Sequence, residues 1–424
     1  MAKSPYRWAV VGMLWLVCVF NYADRQAIFS VFPRLKAEMS LSDVRLGVVG
    51  GAFMWVYAAA LPFAGAAADR ANRKALILGG LLFWSAVTLA TGWAKEYWHL
   101  VLFRALEGLG EAFYYPASMS LLSDYHGPAT RSRAMGLHQS SVYVGTVLGG
   151  GVAGYCAEHY GWRSGFYLFG GLGVALAAVL VFCLREPTRG AADRATIGKD
   201  EGGRMKDESK EYSRSDSSFI LPSSSFPMAL VLTGVFVGAN FVAMIFLTWM
   251  PSYLNREFEM SLTMAGLNAT FWLQAASVAG VLCGGGLADR WARRWRGGRP
   301  LVQTAGLLLG APVVFFTGWA RDVEVLVVAM AGFGFFKGLY DANIWASLYD
   351  VVPARRRATA QGLMNAVGWL GAGVAPVAVA AASARFGMAA CLSATSAIYL
   401  LCGVLLMVGT AAFFPRPRDP RMAR

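Results

Sequence analysis

The sequence is short of charged residues, which make up 15% of its 424 positions. Soluble globular domains carry about a quarter of such residues. Hydrophobic residues account for 56% of the chain, and together the two values exclude an ordinary soluble domain. This composition is typical of a protein that crosses a bilayer many times.

Several chemical signatures are also missing from the sequence. The six cysteines all fall in apolar runs without a CxxC pair, so we interpret them as small buried residues rather than disulfides or metal ligands. No GxxxxGK[ST] phosphate-binding loop occurs, which argues against ATP as a driving force. Zinc-ligand spacings and serine nucleophile motifs are absent as well. We therefore expect no cofactor, no metal site and no enzymatic activity.

Apolar stretches recur along the whole chain, and each approaches the roughly 20 residues that a helix needs to span a bilayer. They form two sets of six, separated by a gap. This pattern predicts an all-α polytopic membrane protein with twelve transmembrane helices in two pseudo-symmetric six-helix bundles. The predicted spans are residues 8–30, 44–68, 75–94, 98–124, 132–155, 162–184, 229–254, 262–287, 301–320, 324–350, 357–383 and 388–414.

The gap between the two sets is rich in Ser, Gly and alternating charge, and it is nearly free of aromatic residues. Such a stretch cannot bury enough apolar surface to fold alone, so we interpret it as a linker. The expected division is an N-terminal bundle at residues 1–184, a cytoplasmic linker at 185–228 and a C-terminal bundle at 229–424.

The formal net charge of +13 would also fit a nucleic-acid-binding protein. The basic residues, however, concentrate in alternate loops, on the side that also holds the N-terminus. The opposite side holds scattered bases such as Lys95 and Arg256. This asymmetry follows the positive-inside rule. It predicts a bacterial-type inner-membrane protein with both termini in the cytoplasm and no nucleic-acid partner.

The two halves repeat a charged loop motif. "GAAADRANRK" at residues 65–74 matches "GGLADRWARR" at 285–294 with a constant offset of 220, which aligns Arg73 with Arg293. Further along the chain the offset becomes 226, as a few extra loop residues would produce. The repeat predicts a duplicated transporter architecture. The charged motif residues are Asp69, Arg70, Arg73, Asp289, Arg290 and Arg293.

Twelve spans, a central loop and the duplicated motif together resemble the major facilitator superfamily. "NYADR" on the first predicted helix and "RALEGLGEAFYYPA" on the fourth look like two of its branches. One branch is the organic anion:cation symporters, which carry sugar acids and similar carboxylates. The other is the Spinster-like transporters, associated with lysolipids and sphingoid phosphates. "GEAFYY" and "REPTRG" favour the second branch, whereas "YYPA" favours the first.

The resemblance also implies a role for the charged loop motif. In the superfamily this motif latches the two halves in the outward-open state through salt bridges near helix ends. We therefore expect the six motif residues to act in gating. Simple topological charge is the alternative interpretation, although the positive-inside rule does not require the repeated aspartate.

Charged residues also lie inside the predicted spans, where each costs at least about 2.5–3.5 kcal/mol on insertion scales. Asp24 and Arg25 stand side by side on the first helix, and Glu111 lies near the midplane on the fourth. The 226 offset carries Glu111 onto Lys337, so the tenth helix has a cation where the fourth has an anion. In both resembling branches the first-helix acid and base and the fourth-helix glutamate serve coupling and binding. The resemblance implies the same for Asp24, Arg25 and Glu111.

From these positions we expect Arg25 and Lys337 to contact an anionic substrate. Asp24 and Glu111 are the candidate proton acceptors, because a buried carboxyl can change protonation as a cavity opens to either side. Static intramembrane ion pairs are the alternative interpretation, which we favour for Arg104 and its neighbour Glu107. Further candidates for the substrate site are Tyr114, Tyr115, Tyr340 and Asp341.

The sequence thus predicts a proton-coupled secondary transporter of a small organic anion or an anionic amphiphile. Transport would proceed by alternating access, with substrate drawing the bundles together. Spinster-like lysolipid or sphingoid-phosphate transport is one alternative. A transport-inactive sensor or scaffold is another, which the intramembrane charges argue against. The expected partners are the small-molecule substrate, protons and membrane lipids, and the expected oligomeric state is a monomer.

Overall fold

The computed structural model describes residues 5–189, 226–295, 297–353 and 356–414. These ranges contain fifteen α-helices and no β-strand. We name the helices α1 to α15 in chain order, and we refer to α1–α8 as the N-terminal half and to α9–α15 as the C-terminal half. Their bounds are Tyr6–Ser30, Phe32–Met39, Asp43–Arg70, Arg73–Thr91, Tyr97–Ala112, Tyr114–Tyr125, Pro128–His159, Trp162–Cys183, Phe226–Glu257, Leu262–Ala292, Gly298–Trp319, Val323–Asp341, Ile344–Val351, Arg357–Phe386 and Met388–Phe413.

Within the described part of the chain, ten helical stretches are long and apolar enough to cross a membrane. The other two predicted spans, 98–124 and 132–155, correspond to α5 with α6 and to α7. The fold is an all-α polytopic membrane protein, and its helix order is consistent with the two predicted sets of six spans. The predicted linker lies outside the described residues, except for 185–189 and 226–228.

Polar side chains mark where several of these apolar helices begin. Ser42 precedes α3 and accepts a hydrogen bond from the backbone N–H of Arg45. Asn72 and Ser261 cap α4 and α10 in the same way. Such caps satisfy backbone donors that have no partner inside the helix.

Two of the predicted spans are each divided into two helices. In the N-terminal half α5 ends at Ala112 and α6 begins at Tyr114. In the C-terminal half α12 ends at Asp341 and α13 begins at Ile344. The breaks occur at similar places in the repeat. They put Glu111 and Asp341 at the C-terminal ends of their helices.

The motif aspartates lie differently from expectation. The predicted spans end at residues 68 and 287, which places Asp69 and Asp289 just beyond the predicted helices. Instead, α3 continues through Arg70 and α10 through Ala292, so both aspartates belong to the last helical turns.

Glycines bring the two halves into close contact, where α3 packs against α14 and α7 against α10. A Cβ atom added at Gly51 would lie 2.6 Å from the carbonyl oxygen of Gly373, and one at Gly150 would lie 2.6 Å from that of Gly266. Small residues at such positions permit close helix packing in membranes.

Polar contacts also join the halves, near the end of the molecule that carries the α2–α3 turn. Arg256 of α9 donates to the Asp43 carboxylate of α3 at 2.9 Å. Glu158 of α7 accepts hydrogen bonds from the backbone N–H of Thr263 at 3.1 Å and from its hydroxyl at 2.6 Å. We call this the closed end. The motif aspartates Asp69 and Asp289 are exposed at the opposite end.

Candidate functional site

A group of buried charges occupies the centre of the N-terminal half. It comprises three carboxylates and two guanidinium groups from α1 and α5. With every member ionised the group carries one net negative charge. We call it the N-terminal charge cluster, and its members are Asp24, Arg25, Arg104, Glu107 and Glu111.

Arg25 is enclosed within this cluster. Its Nε donates a hydrogen bond to the Glu111 carboxylate. Four aromatic rings surround the guanidinium, with their centres 4.6 to 5.7 Å from its central carbon. The Arg25 side chain is therefore only 10% exposed. The rings belong to Tyr22, Phe53 and Tyr57 of the N-terminal half and Trp369 of the C-terminal half.

Asp24 lies next to this pair but has no guanidinium of its own as donor. Neither carboxylate oxygen accepts a hydrogen bond of ordinary geometry from a described residue, although the Thr88 hydroxyl lies close enough to interact and the residue is 1% exposed. The charges of Glu107 and Glu111 oppose that of Asp24, whereas Arg104 attracts it. A buried carboxylate without donors is costly when ionised. The arrangement thus leaves one acid of the cluster unsatisfied.

Arg104 and Glu107 form an ion pair one turn apart on α5, as the static interpretation of their spacing predicts. The Arg104 guanidinium also lies 4.7 Å from the centre of the Phe53 ring. Thr88 approaches Glu107 at 3.4 Å, although its hydroxyl also reaches the backbone oxygen of Trp84 at 3.0 Å. These contacts fix α5 against its neighbours.

The C-terminal half contributes a second central ion pair. Lys337 donates to the Asp341 carboxylate, four residues later on α12. The two side chains are 18% and 34% exposed, respectively. Tyr143 on α7 interacts electrostatically with both residues across the halves. The pair therefore faces the N-terminal half and remains partly open.

The candidate tyrosines lie in different surroundings. Tyr114 is buried, and its hydroxyl lies 2.6 Å from the backbone oxygen of Leu14 and 2.8 Å from Nε2 of His138. Tyr340 is also buried, and its hydroxyl has no hydrogen-bond partner among the described residues. Tyr115 is half-buried and donates to Gln139 at 2.7 Å. A substrate contact for these three residues stays a prediction.

Charged loop residues form a matching ion pair in each half. Arg73 at the start of α4 contacts Asp124, and Arg299 near the start of α11 contacts Asp350 at 2.7 Å. The residue numbers of the two arginines differ by 226, and so do those of the two aspartates. The structural counterpart of Arg73 is therefore Arg299, and the alignment of Arg73 with Arg293 is wrong. The 226 offset, applied one helix earlier, is the signal that finds Arg299.

The other motif residues stay close to their own helices. Arg299 also reaches Asp289 at 3.4 Å, and Arg293 donates to the Asp289 backbone oxygen at 3.3 Å. Asp69, Arg70 and Arg290 are exposed. These contacts lie within one half, so a latch between halves stays a prediction for another state of the molecule.

Comparison with known proteins places the fold in a family. The profile of the Major Facilitator Superfamily matches residues 14–298 and 272–424. The "Probable galactarate/D-glucarate transporter" of Escherichia coli K12 is 25% identical over 398 residues, covering 89% of this chain and 87% of that protein. "Protein spinster homolog 1" of Xenopus laevis is 27% identical and covers 85% of this chain and 70% of that protein. Relatives from both branches suggested by the sequence are thus present.

A solved structure supports the same fold. It is the crystal structure of a bacterial homolog to the human lysosomal transporter Spinster, in an inward-facing and unoccupied conformation. The TM-score is 0.84 at 21% sequence identity, with 99% of this chain and 100% of that chain covered.

Proposed function

The chain belongs to the major facilitator superfamily, and from this premise we propose that it is a secondary transporter of small organic anions. It works by alternating access, with the two halves rocking about a central site. The observation that carries the proposal is the Lys337 side chain, a cation that is partly exposed and that interacts electrostatically with Tyr143 of the opposite half. A carboxylate between the halves would find its counter-charge there.

The contacts between the halves favour an inward-facing state. Asp43–Arg256 and Glu158–Thr263 join them at the closed end. The basic motif residues lie at the opposite end, which the positive-inside rule assigns to the cytoplasm. The proposed substrate site between the halves would then open toward the cytoplasm of a bacterial-type inner membrane, with both termini on that side.

Substrate contact by Arg25 requires a change in its enclosure. Trp369, one of the four surrounding rings, belongs to the C-terminal half and moves relative to Arg25 when the halves rock. We propose that a substrate anion binds Lys337 first and reaches Arg25 in a state where Trp369 has withdrawn. A ligand shifts such an equilibrium only by its different affinities for the two states.

Proton coupling is assigned to the N-terminal charge cluster. One proton neutralises the net charge of the cluster, and Asp24, which has no guanidinium donor of its own, is the natural acceptor. Glu111 shares its charge with Arg25, so protonation of Glu111 would release the guanidinium toward substrate. Asp24 and Glu111 thereby link proton binding to substrate binding.

Spinster-like lysolipid transport is the second candidate function. An apolar groove of about 500 Å³ between α9, α14 and α15 favours it, because an acyl chain would fit there. Phe241, Val379 and Ile398 are among the residues that line it. The groove contains no charged residue, so the headgroup would still require the central cations.

Uptake into proteoliposomes tests these assignments. We expect labelled galactarate to accumulate under a pH gradient, and Lys337→Met to abolish this uptake, whereas Lys95→Gln in an exposed turn leaves it unchanged. Transport of a fluorescent lysolipid without galactarate uptake would favour the second candidate. Transport of neither would favour a sensor or scaffold.

A second uptake experiment tests the coupling residues. Glu111→Gln should retain exchange of preloaded substrate, because the cavity and Lys337 remain, but lose proton-driven accumulation. Accumulation equal to that of the parent protein would contradict the coupling role of Glu111.

A further inference from the structure

Lys337 and Asp341 lie at an unusual point of the helix framework. Both belong to the last turns of α12, and Asp341 is its final residue. The helix ends there, and after two non-helical residues α13 begins at Ile344. The pair therefore stands at a helix C-terminus inside the membrane, on the side of the helix that faces Tyr143 of the opposite half.

The helix C-terminus stabilises one charge of the pair and destabilises the other. A helix carries partial negative charge at its C-terminus, which favours a cation and disfavours an anion. The order of the residues is also unfavourable, because a lysine four positions before an acid forms a weaker pair than the reverse order. Lys337 is thus well placed, whereas Asp341 is held weakly.

The backbone around the break is nevertheless fixed. Asn343 is buried, and its amide nitrogen lies 3.2 Å from the backbone oxygens of both Gly284 and Leu339. This contact ties the break to α10. Asp341 can therefore leave Lys337 by rotation of its own side chain, which is 34% exposed, without any movement of the helix.

Building on the proposed function, we propose that Asp341 is a built-in counter-ion that competes with the substrate carboxylate for Lys337. In the empty transporter Asp341 neutralises the lysine. A substrate carboxylate that enters between the halves displaces Asp341, which turns toward the hydrated space. A neutral sugar lacks the charge needed for this exchange, so Asp341 selects for anions as well as shielding Lys337.

The same exchange explains how an empty transporter returns. A lone lysine would have to be desolvated whenever the halves close around it, at a cost that increases with burial. The Lys337–Asp341 pair is neutral as a unit, so the halves can close without substrate. Asp341 thus lowers the affinity for substrate while it permits the return step.

Binding measurements on the purified protein test the inference. Asp341→Asn should bind galactarate about fivefold more tightly than the parent protein, equivalent to about 1 kcal/mol. The matched control is Asp322→Asn, at the exposed opposite end of α12, which should leave the dissociation constant unchanged. Unchanged or weaker binding by Asp341→Asn would overturn the inference, while galactarate binding by the parent would leave the proposed function standing.

A second measurement does not depend on the identity of the substrate. Asp341→Asn leaves Lys337 without its anion, so excess formate should raise the melting temperature of this variant more than that of the parent. The double variant Lys337→Met with Asp341→Asn should show no such gain. Rescue by formate without galactarate binding would support the competition and reject galactarate as substrate.

Poor folding of the variant also gives an answer. If Asp341→Asn yields little folded protein, formate during purification should restore it. Failure of this rescue, with a well-folded double variant, would show that Lys337 is not accessible to anions and would overturn the inference.

Discussion

The two halves of the molecule hold their central charges in opposite ways. In the N-terminal half the Arg25–Glu111 pair is enclosed by aromatic rings, and Glu111 is 0% exposed. In the C-terminal half the Lys337–Asp341 pair, which includes the residue equivalent to Glu111, is partly exposed. The equivalent positions of the two halves therefore differ in environment: Glu111 is buried in its ion pair, whereas Lys337 is partly exposed in its own.

The two pairs differ in how easily a ligand could replace one of their charges. Breaking a buried ion pair by removing one partner leaves an uncompensated charge and costs about 3–5 kcal/mol. Solvent-exposed pairs contribute only about 0.2–1 kcal/mol, and the partly exposed Lys337–Asp341 pair lies between these two cases. We therefore expect an anionic ligand to exchange with the partly exposed pair more readily than with the enclosed pair, which would first require a change of conformation or protonation.

The largest expected effect contrasts the two pairs directly. Glu111→Ala leaves Arg25 buried without its anion, so we expect the free energy of unfolding to fall by about 3–5 kcal/mol. Asp341→Ala is the matched variant in the partly exposed pair and should cost less than Glu111→Ala, because Lys337 is less buried than Arg25. Thermal and denaturant unfolding of the purified variants measures both. Equal losses would show that the two pairs are held in the same way.

A smaller effect concerns the ring that the C-terminal half contributes. Trp369→Leu removes one cation–π contact from Arg25 and should destabilise the protein by about 0.5–2 kcal/mol. It should also increase modification of Arg25 by phenylglyoxal, measured by mass spectrometry. Trp345→Leu is the control, because Trp345 packs 5.2 Å from Phe236 within its own half. Equal modification of Arg25 in both variants would argue against Trp369 as its cover.

Much of the charge arrangement follows from sequence, and its enclosure does not. Helix depth and the 226 offset place Glu111 and Lys337 at equivalent positions, and the spacing of three identifies the Arg104–Glu107 pair. The cover over Arg25 depends on Tyr57 and Trp369, which are far apart in the chain. Periodicity gives no information on which ring meets which cation, because that depends on how helices from both halves pack.

Other differences have similar causes. Tyr114 and Tyr340 have an apolar ring and a polar tip, so sequence alone does not decide between a core and a cavity. The structure places both in the core. The counterpart of Arg73 was missed because the loop before Arg299 contains several arginines, any of which satisfies the charge pattern. Only the contact with Asp350 distinguishes Arg299 from Arg293.

The smallest expected effect lies at the closed end, where the Asp43–Arg256 ion pair connects the two halves. The central pairs, in contrast, each lie within one half. Asp43→Asn removes the ion pair with Arg256 across the halves and a second one with Lys36 inside the N-terminal half. Loss of the pair with Arg256, worth about 0.2–1 kcal/mol, should lower the ratio of closed to open molecules at this end by up to about fivefold. Spin labels at the exposed positions 71 and 294 report the separation of the halves at the opposite end, which should shorten on average.

The control for this prediction is a pair of the same type that stays within one half. Glu38 contacts Arg163 at the same end of the molecule, and Trp162 also donates to its carboxylate at 2.7 Å. Glu38→Gln therefore removes a similar surface charge without touching the contact between halves, and the label distances should not change. A matching shift in both variants would mean that surface charge in general, rather than the Asp43–Arg256 bridge, sets the conformational equilibrium. A shift in Asp43→Asn alone would show that even a weak pair biases the transporter when it spans the moving boundary.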